Sequence, residues 1–447
     1  MPSTSFTVPL LPLPQTPMTT VPTLQSQGQP SPDQAVHGQP VLRVNGKRLN
    51  QSLDDLAAIG QMDNGGICRL AFSPEDVQGR ELVRRWMIEA GMTVRLDTAG
   101  NMIGRLPGQL DLPALATGSH IDTVPCGGKF DGCLGVLAGI EVARTLQEHS
   151  LQLDHPFEVI VFADEEDTMI GSRAMAGTAS LDVTDYRRKD GHPIDQCIQQ
   201  VGGDWSRLAL ARRTRGEVCA FVELHVEQGG VLETAKAQIG VVQGVVGMQR
   251  YQIQITGRPN HAGTTPMDLR QDALVAAAQV VLAVNQLATE PPGQRVATVG
   301  ALQVSPNAAN IVPGKVVASL DVRDLDQDVI DKLVNDLKIE LVAIAQRTHT
   351  HIEILPQLNV APSPAAPHIQ STIAEVCTTL GLSSMSMPSR AGHDALEIGR
   401  FTDMGMIFVP SEGGFSHSEV EYTSPDQCTQ GANVLLETLL RLDQHYS

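Results

Sequence analysis

The chain of 447 residues is long enough for one large domain and a second one, because single hydrophobic cores seldom grow beyond about 250–300 residues. Its formal charge of −18 disfavours nucleic acid and anionic membrane surfaces as partners, and no apolar run approaches the ~20 residues that a membrane helix needs. The 7 cysteines are dispersed without a CxxC pair, which predicts neither a disulfide framework nor a thiolate zinc site and favours the cytoplasm.

The N-terminal segment differs in composition from the rest of the chain. Residues 1–40 are rich in Pro, Ser, Thr and Gln, and their only acidic or basic side chain besides histidine is Asp33. They lack the basic start of a secretory signal and the arginines of a transit peptide, so we predict a disordered tail. After the tail, Ser73 and Pro74 are suited to begin a helix and Gly91 to end it.

A parallel strand–helix–strand unit is predicted next. Apolar runs at residues 114–117 and 158–162 predict two strands, and residues 219–222 predict a third. The helix between the first two strands has an apolar stripe of Leu134, Leu137, Ala138, Val142 and Leu146. Strand, helix, strand is the βαβ arrangement, in which both strands join one parallel sheet.

From about Met248 the order becomes strand, helix, strand, strand, helix, strand, which predicts a ferredoxin-like βαββαβ unit. Its strands are predicted at residues 251–255, 297–304, 316–322 and 351–355. The apolar face of the first helix is Leu274, Ala277, Ala278 and Val281, and that of the second is Ile330, Leu333, Leu337, Leu341 and Ile344. The proline-rich residues 356–367 are expected to end the unit.

These elements predict an α/β protein with an α/β/α catalytic domain and a smaller inserted domain. We expect the catalytic domain at residues 41–246 and 363–447 and the inserted domain at residues 247–362. The chain must return to the first domain because one motif of the candidate site lies near the C-terminus.

Five short motifs carry the residue types of a two-metal hydrolase. They read GSHID from Gly118, KFDG from Lys129, ADEE from Ala163, ELHVE from Glu223 and GFSH from Gly414. Each is predicted to follow a strand or a turn, where α/β enzymes place their reactive groups. Imidazole and carboxylate ligands without thiolate are typical of Zn²⁺, Mn²⁺, Co²⁺ or Ni²⁺. The set predicts two divalent ions.

The positions of these residues indicate roles for them. His120 is suited to bind a metal and Asp122, two residues later, to orient it. Asp131 lies in a glycine-rich turn, where a carboxylate can bridge two ions. Of the adjacent Glu165 and Glu166, one can bind metal while the other holds the attacking water. The remaining nitrogen ligands are His225 and His417.

Each motif alone also has an ordinary structural explanation. A histidine in a turn is commonly structural, and adjacent glutamates commonly lie on a solvated surface. Glu165 and Glu166, however, directly follow a strand that looks buried, which is a costly place for charges without a function. The five motifs together favour a metal site.

At these motifs the chain resembles the metal-dependent aminoacylase, dipeptidase and carboxypeptidase superfamily, and within it the hydantoinase/carbamoylase branch of amidases. The resemblance runs from about Leu42 to the C-terminus. It implies that His120 binds the first ion, that Asp131 bridges and that Glu165 is the general base. It further implies Glu166 and His417 as ligands of the second ion and His225 in place of the acidic ligand of many peptidases.

The resemblance also implies a lid and dimerisation role for the inserted domain, and therefore a homodimer. The loop GRPNHAGTTPM from Gly257 resembles the family's signature loop, in which His261 of the partner's lid would stabilise the oxyanion. Asn310 and Arg323 resemble residues that hold a substrate carboxylate, for which arginine offers a planar bidentate fork. The alternative for Arg323 is a surface ion pair with Asp321 or Asp324. Gln228 and His393 resemble residues that line the substrate site, although His393 is equally suited to a structural role.

The expected reaction is hydrolysis of an N-carbamoyl-L-amino acid to the amino acid, ammonia and CO₂. Allantoate or ureidoglycolate amidohydrolase is the alternative, and an aminoacylase or dipeptidase is more distant. Residues 167–170 form a shorter loop after Glu166 than is usual in the family, which leaves the substrate open. A catalytically inactive binding protein would lack a ligand or the base, and none is missing.

Overall fold

The computed structural model describes residues 42–188, 191–290 and 292–447, so the predicted disordered tail lies outside the described residues. The first part of the chain alternates helices and strands. Its helices are α1 Gly46–Ala57, α2 Pro74–Glu89, α3 Cys133–Glu148, α4 Ile170–Ala176, α5 Ile194–Gln200 and α6 Val231–Ala235. Its strands are β1 Thr93–Leu96, β2 Met102–Leu106, β3 Ala114–His120, β4 Phe157–Phe162, β5 Val218–Val226 and β6 Ile239–Val245.

The remaining elements follow in chain order. Strands of the middle part are β7 Gly247–Thr256, β8 Asn260–His261, β9 Val296–Thr298, β10 Leu302–Ser305, β11 Ile311–Val312, β12 Lys315–Asp324 and β13 His351–Val360. Its helices are α7 Ala273–Thr289 and α8 Gln327–Thr348. The last part contains β14 Ser363–Pro364, α9 Pro367–Leu380, β15 Ser384–Ser389, α10 Asp394–Ile398, β16 Asp403–Val409 and α11 Pro425–Tyr446. Among the described residues, no helix has both the length and the apolar character to cross a membrane.

A nine-stranded mixed sheet confirms the predicted βαβ unit. Its order is β1-β2-β4-β3-β5-β16-β6-β14, with β15 also paired to β6. Strands β3 and β4 are parallel and joined through α3, and β5 pairs parallel to β3. Strand β16 pairs parallel to β5, so the C-terminal part of the chain returns to the first sheet as expected.

The alternation along β5 separates the main core from the candidate site. Val222 and Leu224 belong to the core that also contains residues of α1, α3 and α11. Phe221 belongs to a second core, with residues of α10. Because successive side chains of a strand point to opposite faces, Glu223 and His225 lie on the same face as Phe221.

A second, antiparallel sheet has the order β10-β12-β7-β13. Helices α7 and α8 share one hydrophobic core with its strands, and the elements follow the predicted βαββαβ order. The single strand expected at residues 297–304 is instead two strands, β9 and β10, both paired to β12. Strand β13 continues past its expected end at residue 355, because Pro356 borders a bulge on an edge strand, where proline is tolerated.

The predicted apolar face of α7 is wrong. Leu274 and Val281 are 37% and 38% exposed, and the buried side chains are those of Ala273, Ala276, Ala277, Val280 and Val284. This helix is apolar around most of its circumference, so periodicity alone does not select a face. The apolar face of α8 is as predicted, with all five side chains buried.

Candidate metal centre

The candidate site lies at the carboxyl ends of three neighbouring parallel strands. His120 is the last residue of β3, Glu165 and Glu166 follow β4, and His225 is near the end of β5. Because β4, β3 and β5 lie side by side, these side chains meet at one edge of the sheet. His417 reaches them from the segment after β16.

Asp131 lies between two groups of nitrogen donors. Its Oδ1 atom is 3.1 Å from Nε2 of His225 and 3.7 Å from Nε2 of His120. Its Oδ2 atom is 3.3 Å from Nε2 of His417. Each carboxylate oxygen therefore faces a different group, which is the arrangement that a bridging ligand requires.

The two glutamates after β4 extend the two groups. Glu166 Oε1 lies 3.5 Å from His417 Nε2, on the Oδ2 side of Asp131. Glu165 Oε2 lies 3.6 Å from His120 Nε2. Both carboxylates are largely buried, whereas His417 is 50% exposed, so the second group is open to solvent.

The turn that carries Asp131 is fixed by close packing and by backbone hydrogen bonds. Gly132 has a φ of +65°, and a Cβ atom there would come within 2.5 Å of the His120 ring. Glu421 accepts hydrogen bonds from the backbone N–H groups of Phe130 and Asp131, at 3.0 and 3.1 Å. Glycine is therefore required at position 132, and Glu421 holds the turn that carries Asp131 in place.

Both imidazoles of the first group are oriented by backbone carbonyls. Nδ1 of His120 lies 2.9 Å from the carbonyl oxygen of Asp122, and Nδ1 of His225 lies 2.8 Å from that of Val226. With Nδ1–H donating to these carbonyls, each Nε2 presents a lone pair to the cluster. The Asp122 carboxylate accepts from the backbone N–H of Glu166 at 3.2 Å, and its Oδ1 lies 3.7 Å from Nδ1 of His120, so it borders both the glutamate turn and the His120 ring.

The acidic groups perturb one another in a way that favours a bound cation. Burial and the neighbouring Asp394 carboxylate raise the pKa of Glu165 well above its ordinary value. Burial and Asp131 raise the pKa of Glu166 to about 8. The hydrogen bond to Asp131 raises the pKa of His417 to about 9. Positive charge is therefore stabilised among these carboxylates.

Two overlapping sets of donor atoms could each hold a metal ion. Within the described part of the chain, the sets His120–Asp131–His225 and Asp131–Glu166–His417 each bring three ligand atoms within 4.8 Å of one another. They share Asp131 and contain nitrogen and oxygen donors only, as the first-row divalent metals favour.

Gln228 borders the second group. Its side-chain nitrogen donates to Asp131 Oδ2 at 2.8 Å and lies 3.4 Å from His417 Nε2. Gln228 and His417 both have positive φ values, +58° and +52°, which non-glycine residues rarely adopt. Such backbone conformations concentrate at functional sites.

His393 packs against a candidate ligand. Its ring lies 4.4 Å from the His225 ring at an interplanar angle of 63°. Burial, with the adjacent His225, lowers the pKa of His393 well below its ordinary value, so the ring is neutral. Its Nε2 atom is buried and has no hydrogen-bond partner in the described residues.

Three residues that support the cluster, Glu223, Ser416 and Glu421, were not singled out from the sequence, although all of them lie in or beside the quoted motifs. Glu223 is buried beneath the site, accepting hydrogen bonds from Ser119 Oγ at 2.7 Å and Ala395 N at 2.9 Å. Ser416 Oγ lies 3.2 Å from Asp131 Oδ2 and 3.1 Å from Glu421 Oε2. The motifs were recognised by their histidines and candidate carboxylate ligands. The acidic and hydroxyl residues that support these ligands have no distinctive spacing in the sequence.

The segment after Glu166 is a short turn that leads directly into α4. Met169, with a φ of +53°, donates from its backbone to the carbonyl of Asp164 at 2.7 Å, and α4 begins at Ile170. The buried carboxylate of Asp164 pairs with Arg188 at 2.7 Å. Residues 167–170, the loop after Glu166, therefore form this short turn.

The structure brings His261 and Asn310 together but does not join them to the cluster. Strand β8 ends at His261 and pairs with β11, and the carbonyl of Asn310 accepts from Ala262 N at 2.9 Å. Both side chains are exposed. No hydrogen bond or ion pair links His261 to the metal cluster within residues 42–188, 191–290 and 292–447.

Arg323 adopts the ion pair that was its alternative interpretation. Its Nε atom lies 2.8 Å from Asp321 Oδ1. Its Nη1 atom donates to the carbonyl of Arg390 at 2.9 Å, which links β12 to the segment before α10. The guanidinium is therefore held at the joint between the two sheets, with Asp321 as its anion in this structure.

Comparison with known proteins identifies the family. The sequence model described as "Peptidase family M20/M25/M40" matches residues 116–441. The chain belongs to this family. An N-carbamoyl-L-amino acid amidohydrolase from Geobacillus stearothermophilus is 39% identical over 407 residues, which are 90% of this chain and 99% of the relative. An allantoate amidohydrolase from Bacillus subtilis is 34% identical over 401 residues, 88% of this chain and 97% of the relative.

Solved structures place this family member among the hydantoinase/carbamoylase amidases. The crystal structure of an amidase of that group from Burkholderia multivorans matches with a TM-score of 0.82 and 37% identity. The match covers 90% of this chain and 98% of the Burkholderia chain. The family resemblance inferred from the motifs is thereby confirmed.

Proposed function

We propose that this M20-family chain is a metal-dependent amidohydrolase that hydrolyses N-carbamoyl-L-amino acids to the amino acid, ammonia and CO₂. The observation that carries the proposal is Asp131, whose two oxygens face different nitrogen groups beside an additional carboxylate, Glu165. The N-carbamoyl-L-amino acid amidohydrolase at 39% identity supports this substrate class.

His120, Asp131 and His225 would hold one ion, and Asp131, Glu166 and His417 the other. Zn²⁺, Mn²⁺, Co²⁺ and Ni²⁺ suit these donors. When bound, such ions lower the pKa of water and polarise the carbonyl of the substrate.

Glu165 acts as the general base in this proposal. It lies outside both three-residue sets that share Asp131, although it forms a further set with His120 and Glu166. Its raised pKa suits it to take a proton from the attacking water and to deliver that proton to the leaving nitrogen. Gln228, beside Asp131 and His417, would contact the ureido group.

Asn310 and Arg323 would bind the substrate carboxylate. In this structure Arg323 is oriented by Asp321, and a substrate carboxylate would engage its remaining N–H donors. His261 would stabilise the oxyanion after the βαββαβ unit, acting as a lid, brings a partner subunit's copy of it to the cluster. The inserted domain at residues 247–362 is in this proposal a discrete lid and dimerisation domain.

A homodimer through this domain is supported by the outer face of α7. Val275, Val281 and Leu282 are 48%, 38% and 70% exposed, which gives the helix a second apolar face. Such faces mark association sites. We expect Leu282→Asp to shift the chain from dimer to monomer by light scattering, whereas Leu210→Asp, at a site 65% exposed in the first part of the chain, leaves the dimer intact.

The substrate is tested with each candidate metal by measuring ammonia release from N-carbamoyl-amino acids, β-ureidopropionate, allantoate and ureidoglycolate, and free amino acid from N-acetyl-amino acids. We expect the highest kcat/KM for an N-carbamoyl-L-amino acid. Allantoate is the second candidate substrate, on the basis of the Bacillus subtilis relative. A preference for allantoate would mean that the chain acts on a different ureido substrate from the one proposed. Product formation from acetylated amino acids alone, assayed as free amino acid, would overturn the ureido assignment.

A further inference from the structure

Two half-buried cysteines flank one hydrogen-bonded backbone pair near the turn that carries Asp131. Ile67 and Gly127 exchange both backbone hydrogen bonds, each at 2.9 Å, as an antiparallel pair. Cys68 follows Ile67, Cys126 precedes Gly127 at the end of a turn, and both thiols are free.

The backbone around the two cysteines is firmly held. Thr123 N donates to the carbonyl of Arg69 at 2.9 Å, and Arg69 N donates to Thr123 Oγ1 at 2.9 Å. The buried guanidinium of Arg69 donates to the carbonyls of Leu56, Ile59 and Ile121. The spacing of Cys68 and Cys126 is thus set by the folded core.

The side chains of the two cysteines share one face of this pair. A Cβ atom on Gly66 would lie 2.7 Å from Cys126 Sγ, so the sulfur lies over residue 66. Residues 66 and 68 point to the same side of an extended segment. The Cys126 sulfur therefore lies on the same side of this segment as the Cys68 side chain. A disulfide between them requires a Cα separation of roughly 4.4–6.8 Å.

The Cys126 thiol also connects two segments of the metal centre. It donates to Glu419 Oε2 at 3.6 Å, and Asn64 Nδ2 donates to it at 3.5 Å. Glu419 lies two residues after His417, and Cys126 lies five residues before Asp131. The thiol thus joins the segment of the bridging carboxylate to the segment of a second-group ligand.

We propose that Cys68 and Cys126 are a redox-modification site that forms a reversible disulfide when the chain meets a hydroperoxide. The peroxide oxidises the Cys126 thiol to a sulfenic acid and releases water or an alcohol. The Cys68 thiol then attacks that sulfur, the S–S bond forms and a water molecule leaves. Together the two thiols lose two protons and two electrons, which reduce the O–O bond.

The order of the two steps follows from the surroundings of the thiols. Burial raises the pKa of the Cys68 thiol, with Glu75 and Cys126 adding to the rise, so its thiolate is scarce at neutral pH. Cys68 is therefore the resolving thiol.

The disulfide removes the Cys126 donor from Glu419 and frees the segment of His417. This consequence rests on the proposed metal centre, whereas formation of the bond does not. We expect the oxidised chain to release one of its two ions to a chelator faster than the reduced chain.

The bond is tested on the full-length, metal-loaded protein treated with hydrogen peroxide and digested with trypsin without reduction. Cleavage after Arg48, Arg69, Arg105 and Lys129 yields peptides 49–69 and 106–129, each with a single cysteine. We expect their covalent pair, lighter by two hydrogens than their sum and separated again by dithiothreitol. Cys68→Ser, which keeps the Cys126–Glu419 contact, should abolish the pair, whereas Cys219→Ser, at another half-buried cysteine, should retain it.

The outcomes separate the two parts of the proposal. Peptides that carry only separate sulfenic or sulfinic adducts, or links to other cysteines, would overturn the disulfide. A linked pair with unchanged metal release would overturn its coupling to the metal centre. Failure of the unoxidised protein to hydrolyse any ureido substrate would count against the proposed function and leave the peptide result standing.

Discussion

The metal cluster and the βαββαβ unit contrast in how their candidate residues are held. His120, Asp131 and His225 are buried, and each is fixed by backbone hydrogen bonds or by the ends of paired strands. His261 and Asn310 are exposed, and backbone pairing joins their two segments to each other. The residues proposed for metal binding are thus preassembled, whereas His261 and Asn310, which are proposed to act on the substrate, are exposed on the βαββαβ unit.

This difference predicts different consequences of substitution. Changes in the cluster should reduce kcat and metal content, because its geometry exists before the substrate arrives. Changes to Asn310 or Arg323 should mainly raise KM, because these residues are proposed to bind the substrate carboxylate, whereas loss of the proposed oxyanion donor His261 should lower kcat.

The largest effect is expected for Asp131→Asn, because this residue contacts both nitrogen groups. We expect loss of both ions and activity at background level, with metal content measured by plasma mass spectrometry. The metal-loaded wild-type chain should also unfold at a higher temperature than the chelated chain, and this difference should vanish in the variant. Two ions retained by Asp131→Asn would contradict the bridging role.

Glu165→Gln should lower kcat by roughly 10²–10⁴-fold, the usual contribution of a general base. Both ions should remain bound, because Glu165 lies outside the two sets that share Asp131. Single-turnover kinetics with metal analysis checks this expectation. A variant with undiminished kcat would remove Glu165 from the mechanism.

Arg323→Lys should raise KM by about 13- to 160-fold, since loss of charge-assisted hydrogen bonds costs ~1.5–3 kcal/mol. Metal content should be unchanged. Arg250→Lys is the matched control, because Arg250 pairs with the same Asp321 at 2.8 Å from the neighbouring strand. An equal rise in KM for both variants would show that Arg323 acts through Asp321 rather than on the substrate.

The smallest effect is expected for Ser416→Ala, which removes the hydroxyl between Asp131 and Glu421. Loss of one hydrogen bond costs about 0.5–1.5 kcal/mol, so metal affinity should fall about 2- to 13-fold. Competition with a chelator measures this change. Ser418→Ala, at the partly exposed serine two residues later, should leave metal affinity intact.

The sequence was sufficient to predict which residues form the cluster, because its candidate ligands lie in short motifs at the ends of apolar strands. It also predicted the order of the βαββαβ unit. It could not select the buried face of α7, whose residues are apolar on all sides, or find Ser416 and Glu421 as supports of Asp131. Those roles depend on contacts between segments about 290 residues apart in the chain. The pairing of Arg323 with Asp321 was the less favoured of the two interpretations of the sequence. A sequence pattern does not specify the side-chain rotamer on which that ion pair depends.

Strand β16 lies between β5 and β6 in the large sheet, although both of its neighbours precede it by more than a hundred residues. During synthesis, β5 and β6 must therefore leave the ribosome well before the strand that separates them. Until β16 is synthesised, the edges of β5 and β6 present unpaired backbone groups, which are prone to pair with other chains. Nascent chains are consequently most vulnerable to aggregation in the interval when the βαββαβ unit is being made, and truncation before β16 extends that interval indefinitely.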